Sequence, residues 1–339
     1  MKLLVLRPDN IGDLVLTTPV FAALRSRFPA ARIDALVNSY NAPVLDGHPD
    51  VDRVHVYTKS KHVEGAGAAL AQWRERLRQV LALRAERYDH VIVAAPGYHP
   101  RQVRLARWLR PRHVVAFCPA GERPRAVDVP VDHPAPAPLH HVEDTFRILA
   151  PLGIEGPVPA PRLAARPVPA SVGRAPRIAL HVSARRPRNR WPEAHFAQLV
   201  RRLHERTGTA PRLFWSPGGA GDPRHPGDDE RAGAIVQAAA GAPVEPVRTQ
   251  RLEELIEGLA ACDLVVASDG GAMHLAAALG KPIVCLFGDS PPERWHPWGV
   301  PYRLLRSASH DARDIGVAQA LDACLELAGA LALARGRAA

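Results

Sequence analysis

Residues Lys2–Pro19 read KLLVLRPDNIGDLVLTTP. An apolar run of four follows the first lysine, and Arg-Pro-Asp-Asn then breaks it. The spacing predicts a buried strand over Lys2–Arg7, a turn, and a helix over Leu14–Arg27. A dinucleotide-binding fold would place Gly-x-Gly-x-x-Gly in this turn. Only Gly12 stands here, followed by Asp13, which argues against NAD or FAD at this edge. Asp13 has two readings. An aspartate at a helix start is a common N-cap; in a partly desolvated cleft it is instead a general base.

Outward from this stretch, short apolar runs alternate with helical patterns, the mark of a parallel α/β sheet. The first half predicts further strands at Arg32–Val37, Arg53–Tyr57, Asp89–Ala95 and Val114–Cys118. Helices are expected at Gly67–Arg87, Arg101–Leu109 and His140–Leu152. Prolines then crowd at 151, 157, 159, 161, 167, 169 and 176, a density that prevents regular structure and stiffens a connector. The alternation restarts with strands at Arg177–Val182, Arg212–Ser216, Asp263–Ser268 and Pro282–Phe287. Helices follow at Pro192–Arg206, Asp228–Ala240, Leu252–Ala261, Gly271–Leu279 and Val317–Ala334. The expected organisation is a Rossmann-like domain over 1–155, a proline-rich linker over 156–176 and a second Rossmann-like domain over 177–339. The last helix is free to pack back on the first domain. Ligands in such sheets bind beyond the carboxyl ends of strands, so two such edges would face each other across a cleft.

Composition sets limits. Of 339 residues, 47% are hydrophobic and 23% charged, which suits two globular domains. No stretch has the roughly 18 uncharged apolar residues of a membrane span, and the N-terminus is too short in apolar residues for a signal peptide; a cytoplasmic protein is expected. The four cysteines, Cys118, Cys262, Cys285 and Cys324, are scattered without metal spacing, and Cys118, Cys262 and Cys285 sit among apolar residues, as reduced core cysteines do. A net charge of +10 favours anionic partners. It comes without any nucleic-acid-binding pattern, and an anionic membrane-bound acceptor explains it at least as well.

Three further segments carry chemistry. HVSARRPRNRWPEAHFAQL (His181–Leu199) runs from a strand end into a helix opening at Pro192, whose N-terminus offers N–H groups to an anion. Ser183 and the arginines up to Arg190 suit a diphosphate; a solvated basic loop is the other reading. SDGGAMHLAAALGKPIVCLFG (Ser268–Gly288) is a strand, a glycine turn and a helix, with Asp269 at the sheet edge and His274 on the first turn. It is equally an ordinary capped joint with a surface histidine. GDSPPERWHPWG (Gly288–Gly299) brings Trp295 and Trp298, either to wall a cleft or to cover the core edge. Asp50-Val-Asp52 matches a metal motif of some glycosyltransferases, but its place in a turn before a strand suits capping. His140-His141, with Glu143 and Asp144, lacks zinc spacing and reads as a solvated helix start.

Together, RPDNIGDLVLTTPVFAALRSRFP and SDGGAMHLAAALGKPIVCLFGDSPPERWHPWG resemble the ADP-heptose:lipopolysaccharide heptosyltransferases of glycosyltransferase family 9. HPDVDRVHVY and RWPEAHFAQL are similar to family segments too, so the likeness spans nearly the whole chain. The resemblance implies the GT-B fold and an inverting transferase that needs no metal and no cofactor beyond its nucleotide-sugar co-substrate. By it, Asp13 is the general base. Ser183 and Arg190 hold the donor diphosphate, and Asp269, Gly270, Gly271 and His274 form the donor loop. Met273 lines the adenine side and Glu230 contacts the ribose. Arg7, Asn10 and Gly12, beside Asp13, are the candidate acceptor contacts. Relatives often carry Ser or Thr where Gly270 stands, and many carry Lys where Arg190 stands. The implied partners are ADP-heptose, a lipid A/Kdo-type lipopolysaccharide core and the anionic inner membrane, touched from its cytoplasmic face by a monomer, with no nucleic acid. Rival readings are a GT-B enzyme with another donor, a nucleotide-sugar 2-epimerase, and a non-catalytic binding subunit.

Overall fold

The computed structural model describes residues 1–57, 66–133, 139–164, 175–221 and 227–338, for 66–73 and 334–338 the backbone only. It divides into two units, Met1–Ala164 and Ala165–Ala339.

In the first unit the apolar runs become β1 (Lys2–Leu6), β2 (Arg32–Asn38), β3 (Arg53–Tyr57), β4 (His90–Val93) and β5 (His113–Pro119). A sixth strand not expected from sequence, β6 (Val129–His133), completes a parallel sheet of order β3-β2-β1-β4-β5-β6. Leu3 to Leu6 on β1 are wholly buried, as a strand covered on both faces must be. Strand order reverses between β1 and β4, which opens a crevice at their carboxyl ends.

The single helix expected over Leu14–Arg27 is two: α1 (Ile11–Val15) and α2 (Thr18–Arg27). Pro19 has no N–H and its ring crowds the carbonyl four residues back, so one helix cannot run through it. The first helix also starts earlier than expected. Asn10 is its N-cap and Asp13 lies on the first turn rather than at the cap.

One sheet face carries α3 (Ala66–Ala85) and α4 (Pro100–Trp108). Leu83, Val103 and Ala106 pack there with Leu4, Leu6, Val91, Val93 and Val114 in one apolar cluster. The helix expected over His140–Leu152 is α-helical only as α5 (His141–Phe146). It then tightens into a 3₁₀ segment, Arg147–Leu152, where Pro151 breaks the α pattern. Of the linker expected over 156–176, the part through Ala164 belongs to the first unit: Arg162 binds Asp50 and the ring of His48. Residues 165–174 lie outside the described residues.

The second unit repeats the plan. β7 (Ile178–His181), β8 (Arg212–Trp215), β10 (Leu264–Ser268) and β11 (Ile283–Phe287) match the expected strands, and β9 (Glu245–Arg248) and β12 (Tyr302–Arg306) are added at the edges. The order is β12-β11-β10-β7-β8-β9, so the reversal falls between β7 and β10. The helices are α6 (Glu193–Thr207), α7 (Asp229–Ala238), α8 (Leu252–Ala260), α9 (Gly271–Ala278), a short α10 (Pro292–Trp295) and α11 (Val317–Ala338). Pro192, expected inside α6, is its N-cap. Trp191 centres this core, edge-on to Phe196, its indole Nε1 donating to the Ile315 carbonyl at 2.9 Å. The described part of α11 packs on α6 and on β10–β12. All four cysteines are buried free thiols.

Candidate functional site

At the carboxyl end of β1 the chain buries a cation. The Arg7 side chain is only 3% exposed, with Asp9 Oδ2 at 3.2 Å and Asp13 Oδ1 at 3.4 Å. Burial pushes the Arg7 pKa down, while the charges of Asp13 and Asp9 oppose that shift. Nη2 of Arg7 also lies 2.8 Å from Nε2 of His141. A guanidinium has donors only, so Nε2 must accept, which places the imidazole proton on Nδ1.

Asp13 is held from both sides. Its Oδ2 accepts from the Asn10 side-chain amide at 2.9 Å and the Asn10 backbone N–H at 3.1 Å. Its Oδ1 is 3.6 Å from His141 Nε2. Asn38 donates to the Pro8 and Asp9 carbonyls, and Asn41 reinforces the Asp9 contact. Asn10 is exposed, and Gly12 and Asp13 are half-buried, so this edge is open to a ligand. Arg7, Asn10, Gly12 and Asp13 thus stand together at the carboxyl end of β1.

It adds His141, which the sequence reading set aside. His140-His141 does start a helix, as expected, but the helix start is not solvated: both histidines are buried. His140 caps α5 through its ring, accepting from Val142 N at 3.2 Å. Glu143 accepts from the His140 backbone and Asp144 accepts from His133.

In the second unit, Ser183 follows β7 and its Oγ accepts from the Ser216 N–H at 2.8 Å. Arg190 donates from Nε to the Ala184 carbonyl at 3.0 Å. It lines a cavity of about 370 Å³ with Arg188, Arg231, Arg313 and Glu193. Arg231 is already bound to Glu193 and Asp228, and Arg313 to Asp311. Arg188 and Arg190 have no ion pair within 4 Å among the described residues, though the charge of Arg188 reaches Asp311.

Asp269 follows β10, Gly270 caps α9 in extended backbone, and Gly271 begins the helix. Met273 and His274 are both buried, so His274 is no surface histidine. Trp295 lies beside it, ring centroids 6.3 Å apart. Glu230 is exposed on the first turn of α7. His181, at the end of β7, has its pKa pushed down by burial to about 4, against the pull of Asp228.

Asn189 joins these loops and was not anticipated. Its Nδ2 lies 3.4 Å from Asp269 Oδ2 and 3.3 Å from Ser290 Oγ, while its Oδ1 accepts from Gly288 N at 3.1 Å. The loops after β7, β10 and β11 are thereby tied together. Gly288 is required for this approach, since a Cβ there would meet the Arg188 carbonyl oxygen at 2.1 Å. Only its place in a loop after a strand could have flagged Asn189.

The carboxylates of Asp50-Val-Asp52 are engaged by the protein itself. Asp50 binds Arg162, and Asp52 accepts from Ile33 N and Arg25. Among the described residues no group of three His, Cys, Asp or Glu is placed to hold a metal. No described helix is long and apolar enough to cross a membrane.

Comparison with known proteins agrees with this architecture. The profile of glycosyltransferase family 9 (heptosyltransferase) matches residues 74–323. Lipopolysaccharide heptosyltransferase 2 of Salmonella typhimurium is 26% identical over 344 residues, covering 90% of this chain and 88% of its own. Among solved structures, a family 9 glycosyl transferase from Veillonella parvula aligns with a TM-score of 0.79 at 19% identity, covering 96% of this chain and 97% of its own. The Escherichia coli heptosyltransferase WaaC with ADP aligns with a TM-score of 0.78 at 22% identity, covering 96% and 100%. The two parallel six-stranded α/β units of this chain thus match the fold of heptosyltransferase structures, the expected GT-B fold. The chain is a glycosyltransferase and belongs to glycosyltransferase family 9, the heptosyltransferases.

Proposed function

We propose that this glycosyltransferase transfers heptose from ADP-heptose to a lipopolysaccharide inner-core acceptor, with inversion and without a metal. The observation that carries the chemistry is the placement of Asp13: fixed by Arg7, itself held by His141, and by Asn10, yet open at the carboxyl edge of its sheet. Asp13 takes the proton of the acceptor hydroxyl as that oxygen forms its bond to the anomeric carbon. The bond to the diphosphate oxygen breaks on the opposite face, and ADP leaves with its electrons. Arg7, Asn10 and Gly12 line the acceptor side.

The donor is held by the second unit. Ser183 and Arg190 receive the diphosphate, where preorganised donors stabilise charge as it develops. Asp269, Gly270, Gly271 and His274 form the loop against it. Glu230 contacts the ribose, and Met273 backs the adenine side from the core. That WaaC is similar to this chain and was solved with ADP supports an adenine nucleotide donor. The excess of positive charge supports an acceptor anchored in an anionic membrane, with the enzyme working as a monomer at its cytoplasmic face.

The test is transfer by purified protein from ADP-heptose to a Kdo-lipid A-type acceptor, with and without EDTA, reading the product's anomeric configuration by NMR. An inverted product formed in EDTA is expected. Conversion of the nucleotide-sugar without acceptor would make it an epimerase, and loss of transfer in EDTA would overturn the metal-free scheme.

A further inference from the structure

The segment 100–112, PRQVRLARWLRPR, holds five arginines and no carboxylate. It forms α4 and the turn into β5. Val103 and Ala106 are buried against the sheet. Arg101, Arg104 and Trp108, spaced by three and four residues, share the opposite face. Trp108 is 58% exposed. Arg107 pairs with Asp128 and Arg112 with Asp89; Arg101, Arg104 and Arg110 have no ion pair among the described residues. On the same sheet face, α3 presents Leu77 and Leu81, 43% and 52% exposed and one turn apart.

Single exposed apolar residues need no explanation. Here, however, the exposed tryptophan sits on one helix face with guanidiniums that have no ion pair among the described residues. Tryptophan prefers the headgroup level of a bilayer, where its ring is half apolar and its N–H stays wet. Each arginine near an anionic leaflet adds about 1 kcal/mol of attraction. Single-stranded nucleic acid, by contrast, is held by successive stacking aromatics, and the outward face of α4 offers one ring.

We infer that the outward face of α4, centred on Trp108 with Arg101 and Arg104, docks the protein on an anionic phospholipid surface. This rests on the proposed lipid-anchored acceptor and says which face meets the lipid. The first turn of α4 is tied to the reacting edge, because Gln102 donates to Asp9 at 3.3 Å. A protein lying on this flank keeps the Asp13 cluster close to the headgroups.

The experiment is co-sedimentation of the full chain with phosphatidylcholine vesicles, with and without phosphatidylglycerol. The unaltered protein should bind only the anionic vesicles, and less so in added salt. Arg101→Gln/Arg104→Gln should weaken binding roughly twenty- to thirtyfold, at about 1 kcal/mol per arginine. Trp108→Ser should weaken it further and abolish the blue shift of tryptophan emission. Arg101→Lys/Arg104→Lys should restore it, and circular dichroism should show all variants folded. Vesicle binding unchanged in Arg101→Gln/Arg104→Gln/Trp108→Ser would overturn the assignment. So would tighter binding to homopolymeric RNA, or a dimer in solution that Trp108→Ser dissociates. Transfer to a detergent-dispersed acceptor without vesicle binding sinks this proposal alone; vesicle binding without transfer sinks the proposed function alone.

Discussion

His141 Nε2 lies 3.6 Å from Asp13 Oδ1, and both groups lean on the guanidinium of Arg7. The carboxylate proposed as base is therefore aimed by three pieces of chain: the end of β1, the first turn of α1 and the start of α5. A side chain held in one rotamer by fixed partners loses less on reaching a productive geometry.

If Asp13 is the base, Asp13→Asn keeps its shape and removes its proton-accepting capacity. Turnover, followed by ADP release, should fall by roughly 10²–10⁴-fold at nearly unchanged KM for the donor. His141→Asn should cost less, roughly 10- to 100-fold, since it only loosens the aim. Full activity in Asp13→Asn under saturating substrates would exclude the role.

Arg7→Met leaves Asp9 and Asp13 facing each other without their shared cation. Removing one partner of a buried pair costs roughly 3–5 kcal/mol, to be read as a lower urea midpoint at constant slope. Arg7→Lys should lose less, because it keeps the charge and gives up only the planar fork that reaches His141.

Asn189→Ala strands the buried Gly288 N–H and frees the Asp269 loop. A buried donor without a partner costs roughly 1–3 kcal/mol, visible in a thermal melt. Calorimetry should also show weaker ADP binding, because the loops proposed to hold the donor are no longer tied. ADP affinity equal to that of the unaltered protein would separate Asn189 from the donor site.

His181 predicts a pH dependence. Its folded pKa, about 4, lies below the unfolded value near 6.5. Between these pH values the unfolded chain binds a proton that the folded protein refuses, so stability falls as the pH drops from about 6.5 towards 4. The loss is at most about 3 kcal/mol. Urea titrations across this window should show the slope, and His181→Gln should flatten it; an unchanged slope would mean that other groups cause it.

Which strands the sequence revealed follows from where they lie. β1, β4, β7, β10 and β11 are buried runs with neighbours on both sides, and continuous apolar residues mark such strands. β6, β9 and β12 are edge strands, as is β3, whose RVHVY was legible because it keeps an alternation of apolar residues. An edge pairs on one side only, so it tolerates the polar residues of YRLLR and the prolines at 130 and 246, which disguise it.

The sequence by itself determined two parallel α/β units, the motifs at the carboxyl ends of β1, β7 and β10, and the residues Asp13, Ser183, Arg190 and Asp269 that stand there. A strand-to-helix turn is a local event, written in consecutive residues. Tertiary structure alone decided that Arg7 is a buried cation shared by two carboxylates and a histidine, and that Asn189 ties three loops. Those partners come from distant elements, and only the closing of the sheets and the packing of α5 bring them within hydrogen-bond reach.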